Sequence, residues 1–292
     1  DGSVSFAVGT TEIGQGMRTV LAQIVADGLG VPFERVAMLP TDTTRVPDSG
    51  PTVASRATTM SGNALLDAVA IVNGRMHAVA AAMLRTQPVH IAIRNGVVHH
   101  AGVATTLRFV DVVHECGRRR IDLTANGWYG RRHLPFDWDT CQGDAYMVYA
   151  YAANVVEVLA HPATGTVTVL RVTAAHDVGR AINRAGVEGQ VEGGTLQGLG
   201  YALTEEVVSE NGRILNPQFS TYIIPTIRDT PTIVPLIIEQ PFADGPYGAK
   251  GFGEQPLMGI APAVANAVGN ALGLSLRELP ITPERVWQAL RD

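Results

Sequence analysis

Apolar positions set the order of elements along the chain. Val4, Phe6 and Val8 alternate with small or polar neighbours, the period of a half-buried strand. A glycine-rich segment at residues 9–16 then leads to Met17, Val20, Leu21, Ile24 and Val25, spaced as one face of a helix that stops near Gly28 and Gly30. Pro32 precedes a second strand at residues 36–39, and the polar loop of residues 41–58 is too long for a simple connector. Leu65, Val69, Val72, Met76, Val79 and Met83 recur at helical spacing, which predicts a long helix over residues 61–84. Residues 91–98 read as a hairpin turning at Asn95-Gly96, and Leu107, Val110 and Val113 as a short helix.

The second half repeats this order. Residues 146–159 read as a long apolar strand, 162–165 as a turn, and 166–175 as the return strand, which runs through His176-Asp177-Val178-Gly179 to a second glycine-rich segment at 186–193. A third, at 245–254, ends in Glu254 and precedes Val264, Val268 and Leu272 at helical spacing. Thr282, Pro283 and Glu284 start a short terminal helix. Strand, loop and helix thus occur twice. The expectation is an α+β chain of two related mixed α/β subdomains, residues 1–135 and 136–292, packed closely because no low-complexity linker separates them.

Composition narrows the partners. With 292 residues, 46% hydrophobic and 17% charged, the chain has enough apolar material for a substantial core. A net charge of −5 with scattered Lys and Arg provides no basic stripe, so no nucleic acid is expected. The longest apolar runs, 78–84 and 232–238, fall short of a bilayer span, so no membrane association and a cytoplasmic location are expected. Cys116 and Cys141 lack metal-ligand spacing and read as free thiols, and the eight histidines show no paired spacing. The chain opens at Asp1 and is expected to be part of something longer.

Each glycine-rich segment is expected to run into a helix, whose first N–H groups and partial positive charge favour a large anionic ligand. Glycines at 9, 14 and 16 do not fit the dinucleotide fingerprint. Gln15 both donates and accepts, which suits a pterin or amide edge. The small polar residues of 48–58 would let a ligand lie against backbone amides. Gly189, Gly193, Gly194, Gly198 and Gly200 crowd one helix at about 1 kcal/mol each relative to alanine. Either a ligand or a second helix must approach there closely. Glu254, just before Gln255-Pro256, either stabilises a helix start or acts as a proton acceptor.

Taken in order, Thr11-Glu-Ile-Gly-Gln-Gly-Met-Arg-Thr19, Pro51-Thr-Val-Ala-Ser55, Asp177-Val-Gly179 with Asn183, Gly189-Gln-Val-Glu-Gly193, Asn216-Pro217 with Tyr222 and Pro225, and Gly248-Ala-Lys-Gly-Phe-Gly-Glu254 resemble one family. It is the xanthine dehydrogenase and aldehyde oxidase family of molybdenum hydroxylases, in the C-terminal half of the molybdopterin-binding subunit. The resemblance implies a molybdenum–molybdopterin cofactor in its cytosine dinucleotide form. Its contacts would be Gly14, Gln15, Gly16, Met17 and Arg18, then Val53, Ala54, Ser55 and Arg56, then Gln190 and Gly253. No side chain would ligate the metal directly; the Ala54 backbone and Glu254 would lie near it. Glu254 is implied as the catalytic base, activating a water-derived oxygen for attack on a nitrogen heterocycle or an aldehyde. Arg184 stands where many relatives carry proline.

The resemblance also implies partner chains: the N-terminal half of the molybdenum subunit and subunits carrying 2Fe-2S clusters and FAD, in a dimer of heteromers. The subunit would be split, as in nicotinate dehydrogenase-like enzymes, or continue outside these residues. The alternatives are a non-catalytic cofactor-binding scaffold and an aromatic acyl-CoA reductase-type relative.

Overall fold

A computed structural model describes residues 1–130 and 135–291. The chain divides into two compact units: unit 1, Asp1–Tyr149 with Pro241–Gly251, and unit 2, Ala150–Gln240 with Phe252–Asp292.

In unit 1, β1 (Val4–Phe6) and β2 (Val36–Met38) pair in parallel, joined through α1 (Met17–Leu29). The helix buries Met17, Leu21, Ile24, Val25 and Leu29, close to the predicted face, and stops at left-handed Gly30. It packs on α2 (Ala57–Leu84), which begins before the periodicity predicts and buries Leu65, Val69, Met76 and Val79. Contrary to expectation, α2 is long and apolar enough, by length and composition, to cross a membrane. Its many Ala residues raise the average without producing a long run of large apolar side chains. The polar groups in its middle are anchored to unit 1: the Asn73 amide donates to the Gly28 carbonyl at 2.7 Å, and Arg75 donates to the carbonyls of Asp122 at 3.0 Å and Thr124 at 2.7 Å.

An antiparallel sheet of β3 (Ile91–Arg94), β4 (Val97–His100) and β5 (Val103–Arg108) follows, with Asn95 and Gly96 both left-handed at the predicted turn. Helix α3 (Phe109–Arg118) buries Phe109, Val112 and Cys116, while Leu107 of the predicted helix lies in β5. The short pair β6 (Phe136–Asp137) and β7 (Gln142–Gly143) also belongs to unit 1. The division at 149/150 therefore differs from the expected 135/136, and unit 1 gains a second segment, Pro241–Gly251. Long-range bonds hold that segment: Asn63 donates to the Asp244 carbonyl at 2.7 Å, and Lys250 to the Tyr149 carbonyl at 2.9 Å. Local periodicity carries no signal for such pairings.

Unit 2 is built on a sheet of order β12-β9-β8. Its strands are β8 (Ala152–Ala160), β9 (Val167–Asp177) and, after a hairpin of β10 (Ser209–Glu210) and β11 (Arg213–Ile214), β12 (Thr232–Ile238). β8 pairs antiparallel and β12 parallel with β9. Val172 and Ala174 of the sheet form a core with residues of α4 (Arg184–Leu203), α6 (Ile260–Leu272) and α7 (Pro283–Ala289), among them Val191, Leu199, Ile260, Val264 and Val286.

The glycine-rich segment 186–193 lies inside α4 rather than in a loop before it. Asn183 sets that start, its side-chain oxygen accepting the Gly186 N–H at 3.0 Å. The glycines further along α4 admit the neighbouring helices. A Cβ on Gly194 would lie 2.6 Å from Pro256 in the four-residue α5 (Gln255–Met258), and one on Gly198 2.6 Å from Ile260 of α6.

Candidate functional site

Three of the motif segments meet in unit 1. The Thr11 N–H donates to the Thr52 hydroxyl at 2.9 Å, and the Thr41 hydroxyl to the Thr10 carbonyl at 3.1 Å, seating the glutamine-glycine loop on the long polar loop. A Cβ on Gly251 would lie 1.3 Å from the Ser55 carbonyl oxygen, so only glycine lets the returning segment pass there. Tyr247 of that segment donates to the Ile24 carbonyl at 3.4 Å, and burial, with Asp27 nearby, pushes its phenol up to about 12. Gly14–Arg18, Val53–Arg56 and the approach to Gly251 thus share one framework.

The amides of the first loop are already occupied. The Glu12 carboxylate accepts the N–H groups of Gly14 at 2.9 Å, Gly16 at 3.0 Å and Arg18 at 3.1 Å. Partial burial works to raise its pKa, but these three N–H groups and the Arg18 charge outweigh it and hold the carboxyl below its ordinary value. The expectation that this helix start offers its amides to phosphate is corrected here: an internal anion holds them. Gln15 also turns back on its own loop, donating to the Thr11 carbonyl at 2.9 Å and accepting the Ile13 N–H at 2.7 Å, with one amide proton beyond these bonds. The Met17 side chain is 2% exposed in the core, whereas Arg18 and Val53 are exposed.

The second loop has the stronger features. Ala54 and Ser55 are consecutive left-handed residues, φ 55° and 49°, immediately before the helix start at Arg56. Each costs roughly 1–2 kcal/mol, so the surroundings must impose the conformation. The turn is closed by the Arg56 N–H, which donates to the Val53 carbonyl at 3.4 Å. Helix α2 has neither a side-chain cap nor an acidic residue in its first turn, which leaves its positive end suited to an anion. Arg56 donates to the Ser49 carbonyl at 3.2 Å and braces the loop.

In unit 2, Gln190 is half-buried on α4 between Gly189 and Gly193, and a Cβ on either glycine would meet nothing within 4 Å. Gly253 and Glu254 are exposed, and Glu254 is the residue immediately preceding α5, at its N-cap position, without its side chain capping that helix. Other motif residues shape the chain. Asp177 accepts the Gly179 N–H at 3.0 Å, and Asn216 ties residues 206 and 208 together through bonds of 2.6 and 2.9 Å. Tyr222 donates to Glu205 at 2.7 Å, and that carboxylate pushes the phenol up to about 12. Around Asn216 and Tyr222 lies a pocket of about 440 Å³ walled by Val207, Ile214 and Phe219, a feature missed in the sequence because its apolar residues are interspersed with polar ones and carry no period.

No group of three or more His, Cys, Asp or Glu among the described residues is arranged to hold a metal ion. The residues nevertheless fit a metal carried by an anionic pterin. In unit 1 the uncapped start of α2 offers amides, and in unit 2 the space over Gly189 and Gly193 beside Gln190 is one a Cβ would fill.

Comparison with known proteins agrees. Residues 1–231 match the molybdopterin cofactor-binding domain. The nicotine 6-hydroxylase large subunit of Paenarthrobacter nicotinovorans is 32% identical over 99% of this chain and 36% of its own length. The putative xanthine dehydrogenase molybdenum-binding subunit of Escherichia coli (strain K12) is 30% identical over 99% and 38%. Among solved structures, quinoline 2-oxidoreductase from Pseudomonas putida 86 superposes with a TM-score of 0.85 at 29% identity, over 99% of this chain and 36% of that one. The chain therefore spans little more than a third of these relatives, in their C-terminal part. It belongs to the molybdopterin cofactor-binding domain family of the xanthine dehydrogenase and aldehyde oxidase type, and matches the C-terminal part of its molybdenum-binding subunits.

Proposed function

We propose that this chain is the cofactor-binding part of a molybdenum hydroxylase that oxidatively hydroxylates a nitrogen heterocycle or an aldehyde, with water as the oxygen source. The observation that carries the reading is its likeness, over 99% of its length, to a subunit named for nicotine hydroxylation. A solved relative is likewise named for quinoline, another nitrogen heterocycle.

The molybdenum–pterin group, when bound, supplies a two-electron acceptor and a Lewis acid. The backbone at Ala54 and Ser55 and the start of α2 receive its anionic part. Gln15 offers an amide proton to the pterin edge, and Gln190 reads it across the space left by Gly189 and Gly193. At Glu254 a carboxylate oxygen takes the proton from the attacking water-derived nucleophile, turning a poor nucleophile into a good one. Gly253 keeps the backbone next to that carboxylate free of a side chain.

The cofactor is assigned its cytosine dinucleotide form. The partners are the N-terminal half of the molybdenum subunit and chains bearing 2Fe-2S and FAD, in a dimer of heteromers; the relatives' names, a gamma subunit and a large subunit, support a multisubunit assembly. Both cysteines are free, which supports a cytoplasmic location.

In the enzyme assembled with its partner chains, Glu254→Gln should keep its molybdenum content and lose roughly 10²–10⁴-fold in kcat. Unchanged turnover would identify a cofactor-binding scaffold. Oxygen-18 from labelled water should appear in the product, and its absence would indicate a reductase-type relative. Molybdenum accompanied by released CMP is expected on cofactor analysis; molybdenum without CMP would replace the dinucleotide with the simpler pterin.

A further inference from the structure

His176 is a buried titratable side chain that this mechanism does not use. It is fully buried near the C-terminal end of β9, and neither ring nitrogen has a hydrogen-bond partner among the described residues. Burial lowers its pKa, which favours the neutral ring. Buried polar groups without partners are uncommon and call for a reason. Asn154 of β8 shares the condition at its Oδ1. In the register of the sheet Asn154 opposes Ala174 and His176 opposes Ala152, so the two occupy diagonal positions on the inner face.

Both side chains reach the segment that carries Glu254. The His176 ring meets Phe252 edge to face, with centroids 5.4 Å apart and planes inclined at 69°. At the other end of the segment, a Cβ on Gly259 would fall 2.2 Å from the Asn154 Nδ2. Pro256, between them, rests on Gly194 of α4. The stretch 252–259 is therefore gripped at both ends from the sheet and in the middle from α4, all within unit 2. A ring of defined orientation fixes Phe252 in a way that a flexible apolar side chain does not.

We propose that His176 is a positioning residue, its imidazole locking Phe252 so that Glu254, two residues on, is held at a fixed place and angle. The proposal rests on Glu254 as the base, and its test separates the two claims. Met fills a similar volume without polar hydrogens or an oriented ring, so His176→Met should fold and keep its cofactor. In the assembled enzyme it should lower kcat by about 10- to 100-fold with KM within about threefold, as displacement of a catalytic group does.

Amide hydrogen exchange over residues 252–259 should quicken several-fold while β8 and β9 keep their protection, a readout independent of turnover. Phe252→Leu should reproduce both effects, and the double variant should be no worse than either single, because the two side chains act as one contact. Unchanged exchange at 252–259 in His176→Met, unchanged kcat, or additive losses in the double variant would overturn the proposal. Normal turnover in Glu254→Gln would instead remove the reading beneath it, while the exchange result would still decide whether His176 fixes the segment.

Discussion

Glu12 shows how far one side chain departs from what its position announces. In sequence it is one polar residue inside a glycine-rich loop, and its neighbours Gly14 and Gly16 attract attention as phosphate binders. In the fold its carboxylate holds three amides at the start of α1. The resemblance of the loop was readable; the direction of Glu12 was not, because it depends on the left-handed turns at Gly14, φ 103°, and Gly16, φ 79°. Glu12→Ala should lower unfolding free energy by about 1 kcal/mol near neutral pH, the range of a lost helix cap, since the site is partly solvated. The sign of the pH dependence follows from the depressed pKa. The stabilisation is fully present above the unfolded carboxyl pKa and is lost as pH falls through the lower folded one. Denaturant melts of the two proteins at stepwise lower pH should therefore converge in acid, and a constant gap would contradict the assigned role.

Elements were legible where periodicity is strong and misread where another part of the fold decides a boundary. The stripes of α1 and α2 and the turn at Asn95-Gly96 follow from spacing alone. The beginning of α4 does not, since glycine density suggests a loop and Asn183 overrides it with a side-chain cap. That helix makes two opposite predictions. Gly198→Ala places a Cβ 2.6 Å from Ile260 and should destabilise by about 1–3 kcal/mol, overpacking outweighing the propensity gain. Gly193→Ala meets nothing within 4 Å and should stabilise the helix by up to about 1 kcal/mol. If the open side of α4 receives the cofactor, Gly193→Ala should also reduce molybdenum content in the assembled enzyme. Thermal melts and metal analysis on the same preparations test both, and a Gly193→Ala protein that melts higher with full molybdenum would move the cofactor away from this face.

For the whole molecule, the division into two units was the least readable property, because residues 241–251 return to unit 1 through contacts far apart in sequence. The surface carries information of its own. Trp128 and Trp138 in unit 1 are 82% and 80% exposed, and Phe219 and Ile227 in unit 2 are 83% and 90% exposed. Under the multisubunit assembly proposed above, such side chains are expected to be covered by other polypeptide. The relatives run to almost three times the length of the matched region, so they contain ample chain to do so. Produced alone, the chain should self-associate as concentration rises and bind a hydrophobic dye, as seen by light scattering and fluorescence. Co-production with a polypeptide corresponding to the N-terminal two-thirds of the relatives should yield a defined complex and quench the dye signal. Phe219→Asp with Ile227→Asp separates interface from general stickiness. The pair should improve the solubility of the lone chain and weaken the complex by at least about tenfold, the loss expected when apolar anchors leave an interface core. Improved solubility with an undiminished complex would place the interface elsewhere on the molecule.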